Sequence, residues 1–252
     1  MLSVIVALAA RRTRTLSSSG ALAGAIVGTV CMAAGWSWGA LLLSLFVSSS
    51  ALSKVGEARK ADLVESVVEK GSERDAGQVL ANGGAFAVAA LGHLASPSPL
   101  WLALGAGAIA ASTADTWATE IGTLSSTRPV SILSLKRVPA GTSGGVTALG
   151  SLAAGAGAVF IAAEATLATW PVPFAAVAVG GIAGALADSV LGATVQERRW
   201  CDACSTSTER LVHTCGNRTT HAAGIEGFDN DVVNAVCSAV GALVALAMSR
   251  MA

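Results

Sequence analysis

Residues 170–193 read WPVPFAAVAVGGIAGALADSVLGA, with no charged side chain before Asp188. An apolar run of this length meets the roughly 20 residues that an α-helix needs to cross a bilayer. Working outward, comparable runs occupy 1–10, 16–35, 38–53, 79–95, 99–117, 144–165 and 231–250. The chain therefore reads as an all-α, polytopic membrane helix bundle of seven to eight spans, the short run 1–10 deciding the number. It forms one integral membrane domain over 1–252. Composition agrees. The chain is 53% hydrophobic and 13% charged, with a mean hydropathy of +0.63, where a soluble domain carries roughly 25% charge. Its 28 glycines and 6 prolines suit closely packed membrane helices. Zero net charge argues neither for nor against nucleic acid, and the lack of a long basic tract or an aromatic-basic stripe argues against it as a partner. Met1–Ala10 is no signal peptide by its order, because Arg11, Arg12 and Arg14 follow the apolar run instead of preceding it.

The connections alternate in character. Those at 36–37, 96–98 and 166–169 carry no charge, whereas 11–15, 54–78, 118–143 and 194–230 carry nearly everything ionisable. The polar set holds Arg11, Arg12 and Arg14; Lys54, Arg59, Lys60, Lys70 and Arg74; Arg128, Lys136 and Arg137; and Arg198, Arg199, Arg210 and Arg218. Of the 16 lysines and arginines, only Arg250 lies elsewhere. The positive-inside rule then places all four connections in the cytoplasm. The expected setting is the cell's inner membrane, multi-pass, with a cytoplasmic active face. His93 and Glu164 fall near outer ends and receive no role, and Trp36, Trp38, Trp101 and Trp170 read as interfacial anchors there.

The polar residues near helix ends share the cytoplasmic side. They include Lys54, Arg74, Asn82 and Gly83, the run Asp115 to Glu120, the loop Gly141–Gly145, Asp188, Ser189 and Gln196, and Asn230 with Asn234. Asp115 and Asp188 are the strongest candidates. A carboxylate at membrane depth is costly unless paired, hydrated or metal-bound. Each sits between Ala and a hydroxyl residue, a weak internal repeat that would bring two equivalent acids together. With Glu120 they offer hard oxygens suited to Mg²⁺; pairing of each acid with a nearby base at the water interface is the other reading. Gly144 and Gly145, like Asn82-Gly83-Gly84, could wrap a phosphate with helix N-terminal amides or could serve close helix packing. No Walker A spacing is present. Lys54, Arg74 and Lys60 could add charge to bound phosphates.

In the 194–230 loop, Cys201-x-x-Cys204 is followed by His213-x-Cys215. Four such ligands in one short polar loop match a structural Cys₃His Zn²⁺ site; reduced cytosolic thiols are the alternative.

The motifs at Lys54, Arg74–Gly83, Ala114–Gly122, Gly141–Val146, Ala187–Gln196 and Asp229–Asn234 occur in an order that resembles a membrane family once catalogued as domain of unknown function ninety-two, which includes plant phytyl-phosphate kinase and animal transmembrane protein nineteen. The resemblance covers most of the chain. It implies phosphoryl transfer from a nucleoside triphosphate, CTP or ATP, to a prenyl monophosphate of the phytyl or geranylgeranyl type. Asp115, Asp188 and Glu120 would be catalytic, with Mg²⁺ on Asp115 and Asp188. Lys54, Arg74, Asn82, Gly83, Gly144, Gly145, Ser189, Gln196, Asn230 and Asn234 would hold phosphates, and membrane lipids would surround the bundle. The competing classes are a CTP-dependent lipid cytidylyltransferase, a transporter or flippase for a polar-headed lipid or ion, and a structural membrane subunit.

Overall fold

A computed structural model describes residues 1–57, 60 and 73–251. Arg59 and Lys70, counted above among the bases of one connection, lie outside the described residues. Among the described residues the chain forms eight helices: α1 Leu2–Arg12, α2 Ser18–Ala34, α3 Trp36–Lys54, α4 Ala76–Ala95, α5 Pro99–Gly122, α6 Ala148–Leu167, α7 Phe174–Thr194 and α8 Asn230–Ser249. Small strands occupy two of the polar connections. β1 (Val130–Ser131) pairs antiparallel with β2 (Gly145–Val146), and β3 (Arg198–Cys201) pairs with both β4 (Thr206–Thr208) and β5 (Thr220–Ala223).

The expected helical bundle is present. By length and apolar composition, α3, α4, α6, α7 and α8 can each cross a membrane. α5 has 24 residues but is less apolar, and residues 105–114 within it are all buried. Its neighbours are other helices, so it needs less hydrophobicity to leave water. α1, at 11 residues, is about 16 Å long, half of a hydrocarbon core. It cannot cross alone and packs beside α2.

Side-chain chemistry sets the helix starts. Asp75 caps α4 in a reciprocal capping box with Gln78. Ser17, Thr147 and Asp229 each accept the amide three residues on, at the starts of α2, α6 and α8.

Close packing of α5, α7 and α8 rests on glycine. A Cβ at Gly184 would lie 2.4 Å from the Ala111 Cβ and 2.7 Å from the Cys237 carbonyl oxygen. A Cβ at Gly241 would lie 2.5 Å from the same Ala111 Cβ. Hydrogen at these positions lets the backbones meet, as membrane helices require when lipid supplies no hydrophobic drive between them.

At the opposite end from the polar connections the core is aromatic. Trp38 (1% exposed) packs its ring 4.7 Å from Trp170 and 4.9 Å from Phe86, and His93 lies 5.6 Å from Trp38. Trp38 and Trp170 are therefore core residues and not the interfacial anchors expected. Indole width fills the gap between α3, α4 and the α6–α7 turn, while Trp36 stays 75% exposed. Glu164 accepts a 2.8 Å bond from Ser44 Oγ across to α3.

The charge-bearing connections meet one another at a single end. Backbone bonds join Ser17 N to Arg74 O (3.0 Å) and Arg74 N to Thr15 O (3.1 Å). Lys60 bonds Glu120, and Ser143 donates to Glu209.

Candidate functional site

α5 and α7 run parallel, and the sequence offset that pairs Ala111 with Gly184 also pairs Asp115 with Asp188. The two carboxyl groups lie close enough to interact directly. Two acids so close repel unless a proton or a cation lies between them. Asp188 Oδ2 is buried with no hydrogen-bond partner among the described residues, leaving an acceptor suited to a hard cation. Cys237 of α8 lies beside both acids.

Just deeper, polar bonds tie three helices. Ser112 and Ser238 hydroxyls are 2.7 Å apart, Ser112 donates to Asn82 O at 2.8 Å, and Ser238 reaches Ala81 O at 3.3 Å. Sequence reasoning missed both serines, although Ser112 lies one turn before Asp115 and was visible by that spacing.

Glu120 does not join the aspartates. Five residues after Asp115, it is turned to another face of α5, where it accepts from Ser53 Oγ (2.5 Å) and Lys60 Nζ (2.5 Å). Arg74 bonds Ser50 (3.1 Å) and Ser53 (3.3 Å) in the same cluster. Burial lowers the Arg74 pKa, while the Glu120 charge pulls it back up. The expected Lys54 is exposed and has no polar partner among the described residues. Lys60, which Glu120 and the Leu52 carbonyl hold, is the lysine of the cluster.

Beside Arg74 an apolar groove opens between α1, α2, α3 and α4. Arg74, Gln78, Asn82 and Thr116 line one end, and Met32 and Gly39 lie along it.

The expected amide nests are not formed. Asn82 and Gly83 lie in the second turn of α4, well past its cap at Asp75, so their amides are spent on the helix ladder. The Asn82 side chain instead donates to Gln78 O at 3.0 Å. Gly145 belongs to β2, and α6 begins only at Ala148 behind its Thr147 cap. Gly144, at φ +76, packs where a Cβ would lie 2.7 Å from Ser189 O and 2.4 Å from Ala193 Cβ. That left-handed backbone favours glycine, and the contact lays the loop across the end of α7. Gly144, Gly145, Ser189 and Gln196 thus come together as one group. Gln196 donates to Glu209 at 2.8 Å, and Ser143 shares the same oxygen; Glu209 carried no motif that would have singled it out. Asn234 is buried in α8 one turn from Ser238, whereas Asn230 is exposed at the helix start.

Cys201, Cys204, His213 and Cys215 converge as their spacing predicts, with all ligand atoms within 4.8 Å of one another. The Cys201 and Cys215 sulfurs are 3.7 Å apart. Sulfurs at about 2.3 Å from a tetrahedral ion stand about 3.8 Å apart, so this group could hold a metal ion. Bonds from Asn217, chiefly its side-chain amide, pull the Cys215 thiol down to about 6, and the bond to Cys215 holds Cys204 up at about 11. Cys215 is then the thiolate available for capture.

The profile of the family described as Integral membrane protein DUF92 matches residues 1–242. Protein PGR of Arabidopsis thaliana is 34% identical over 94% of this chain and 90% of its own length. An uncharacterized membrane protein of Methanocaldococcus jannaschii is 33% identical over 77% of this chain and 80% of its own. One from Synechocystis is 31% identical over 69% of each. No solved structure matches. With a profile match over nearly the whole chain and a helical bundle to carry it, the protein belongs to the DUF92 family of integral membrane proteins.

Proposed function

We propose that this protein transfers a phosphoryl group from a nucleoside triphosphate to a prenyl monophosphate, giving the diphosphate at the cytoplasmic face of the membrane. The observation that carries the reading is the close approach of Asp115 and Asp188, two helix-borne carboxylates, with Thr116, the residue after Asp115, in the lining of an apolar groove that ends at Arg74. Phosphoryl transfer asks chiefly for positioning and charge neutralisation, and each part has a counterpart. Asp115 and Asp188 would hold Mg²⁺, which supplies charge neutralisation on the transferred group. Arg74 orients the lipid phosphate, with Asn82 and Gln78 beside it. Glu120 keeps Arg74 and Lys60 in place and stays off the reacting atoms. The Gly144 loop and Gln196 cover the end of α7 just past Asp188. The Cys201, Cys204, His213 and Cys215 group binds one structural Zn²⁺, its full ligand set leaving no open position for catalysis.

The test is purified protein in detergent with phytyl or geranylgeranyl monophosphate, Mg²⁺ and each nucleoside triphosphate in turn. Lipid diphosphate should form, and Asp115→Asn and Asp188→Asn should each abolish it. If no donor supports product while reconstituted liposomes show lipid scrambling or ion flux, the kinase assignment falls and a transporter takes its place.

A further inference from the structure

Resting on that reading, we infer that the groove between α1, α2, α3 and α4 holds the single hydrocarbon tail of the lipid phosphate, and that Met32 and Gly39 close its far end and set tail length. The groove changes character along its course. At one end Arg74, Gln78 and Asn82 present polar atoms. Arg74, whose guanidinium donates to the hydroxyls of Ser50 and Ser53, supplies a positive charge at this end. A phosphate headgroup complements it. Beyond Ser49 the lining turns apolar and runs along α3 to Gly39. Ten helical residues span about 15 Å, room for roughly a dozen main-chain carbons at about 1.25 Å each.

The far end has a built stop. A Cβ at Gly39 would lie 2.2 Å from Met32 Sδ and 3.2 Å from Met32 Cγ. Both residues line the groove, so the thioether fills the space that glycine leaves open. A side chain at 39 drives the flexible methionine into the tail's path and shortens the groove. Removing the thioether lengthens it. Midway, a Cβ at Gly83 would sit in ordinary contact with Val27 (3.5 Å) and Leu42 (3.7 Å), so a larger side chain there bars tails of every length.

The experiment needs no turnover. Single-chain prenyl monophosphates of roughly ten, fifteen and twenty carbons, each with a terminal diazirine, are photolysed with the purified protein without nucleotide. The middle length should label α2 and α3 around Met32 and Gly39. Met32→Ala should raise the ratio of long to middle labelling about tenfold, the worth of two buried methylenes. Gly39→Leu should lower the ratio of middle to short by a similar factor, and Gly83→Leu should remove groove labelling at all lengths. Unchanged melting temperatures confirm folded protein, and Met32→Ala, which only removes atoms, decides the matter if Gly39→Leu fails to fold. Label spread evenly over the lipid-facing helix surfaces, or length ratios that Met32→Ala leaves within twofold, would overturn the inference. Length-sensitive groove labelling without phosphorylation by any nucleotide keeps the groove and removes the kinase reading; phosphorylation without groove labelling does the reverse.

Discussion

Gly184→Ala is the most direct probe of how the two aspartates are held. The added Cβ would meet Ala111 Cβ at 2.4 Å, against a carbon contact distance of about 3.5–4.0 Å. α5 and α7 must therefore part by about 1 Å or more. Overpacking of this kind costs about 1–3 kcal/mol, partly offset by alanine's helix propensity, about 1 kcal/mol over glycine. Gly155→Ala is the matched control, since nothing lies within 4 Å of its Cβ and only the propensity gain applies. The two variants should differ by about 1–3 kcal/mol, or about 3–9 °C in melting temperature in detergent. Separating Asp115 from Asp188 by about 1 Å should also cost on the order of 100-fold in lipid-phosphate phosphorylation. Equal melting temperatures and equal activities for the two variants would refute the claim that glycine packing sets the carboxylate pair.

Metal analysis should find about one zinc per chain, lost in Cys201→Ser and Cys204→Ser; identical zinc content in wild type and variants removes the site. The Glu197 carboxyl is held below the usual glutamate range, first by the Gly227 amide at 2.7 Å and then by Arg199. Its contribution is present above the unfolded value of about 4.3 and is lost as pH falls through the lower folded value. Hydrogen exchange at Gly227 should accelerate over that acid window in the wild type, and Glu197→Gln should flatten the dependence. Lys60→Met and Glu120→Gln should each destabilise by about 1–3 kcal/mol, and the double variant by less than their sum, because each single change strands the other group. Strict additivity in a denaturation cycle would show the pair to be uncoupled.

Much of the site was legible because membrane depth makes polar residues conspicuous. Asp115 and Asp188 stood out as acids in apolar runs, and their matched surroundings foretold their meeting. The Cys201–Cys215 spacing foretold the ligand cluster. Glycine was the least readable residue, since the same pattern serves an amide nest, a tight strand pair or a helix contact; Gly144 turned out to pack on α7. Helical rotation accounts for Glu120: five residues past Asp115 is a different face, a distinction a linear motif hides. Lys54 and Lys60 differ by less than two turns in sequence, and only tertiary packing decides which one reaches Glu120. The tryptophans were misplaced because their usual membrane-surface preference yields wherever a wide gap between helices needs filling, as it does around Trp38.

The tilted contact between Trp38 and Trp170 has a practical consequence. The chain has 6 tryptophans and no tyrosine, so near-ultraviolet circular dichroism will be dominated by indoles held in fixed asymmetric contact. The Trp38–Trp170 part of that signal originates at the extremity remote from the carboxylates, whereas Trp117, stacked on Phe160 two residues past Asp115, contributes beside them; a ligand-induced change that disappeared in Trp38→Phe would be reporting movement carried through the whole length of the bundle, with no label attached.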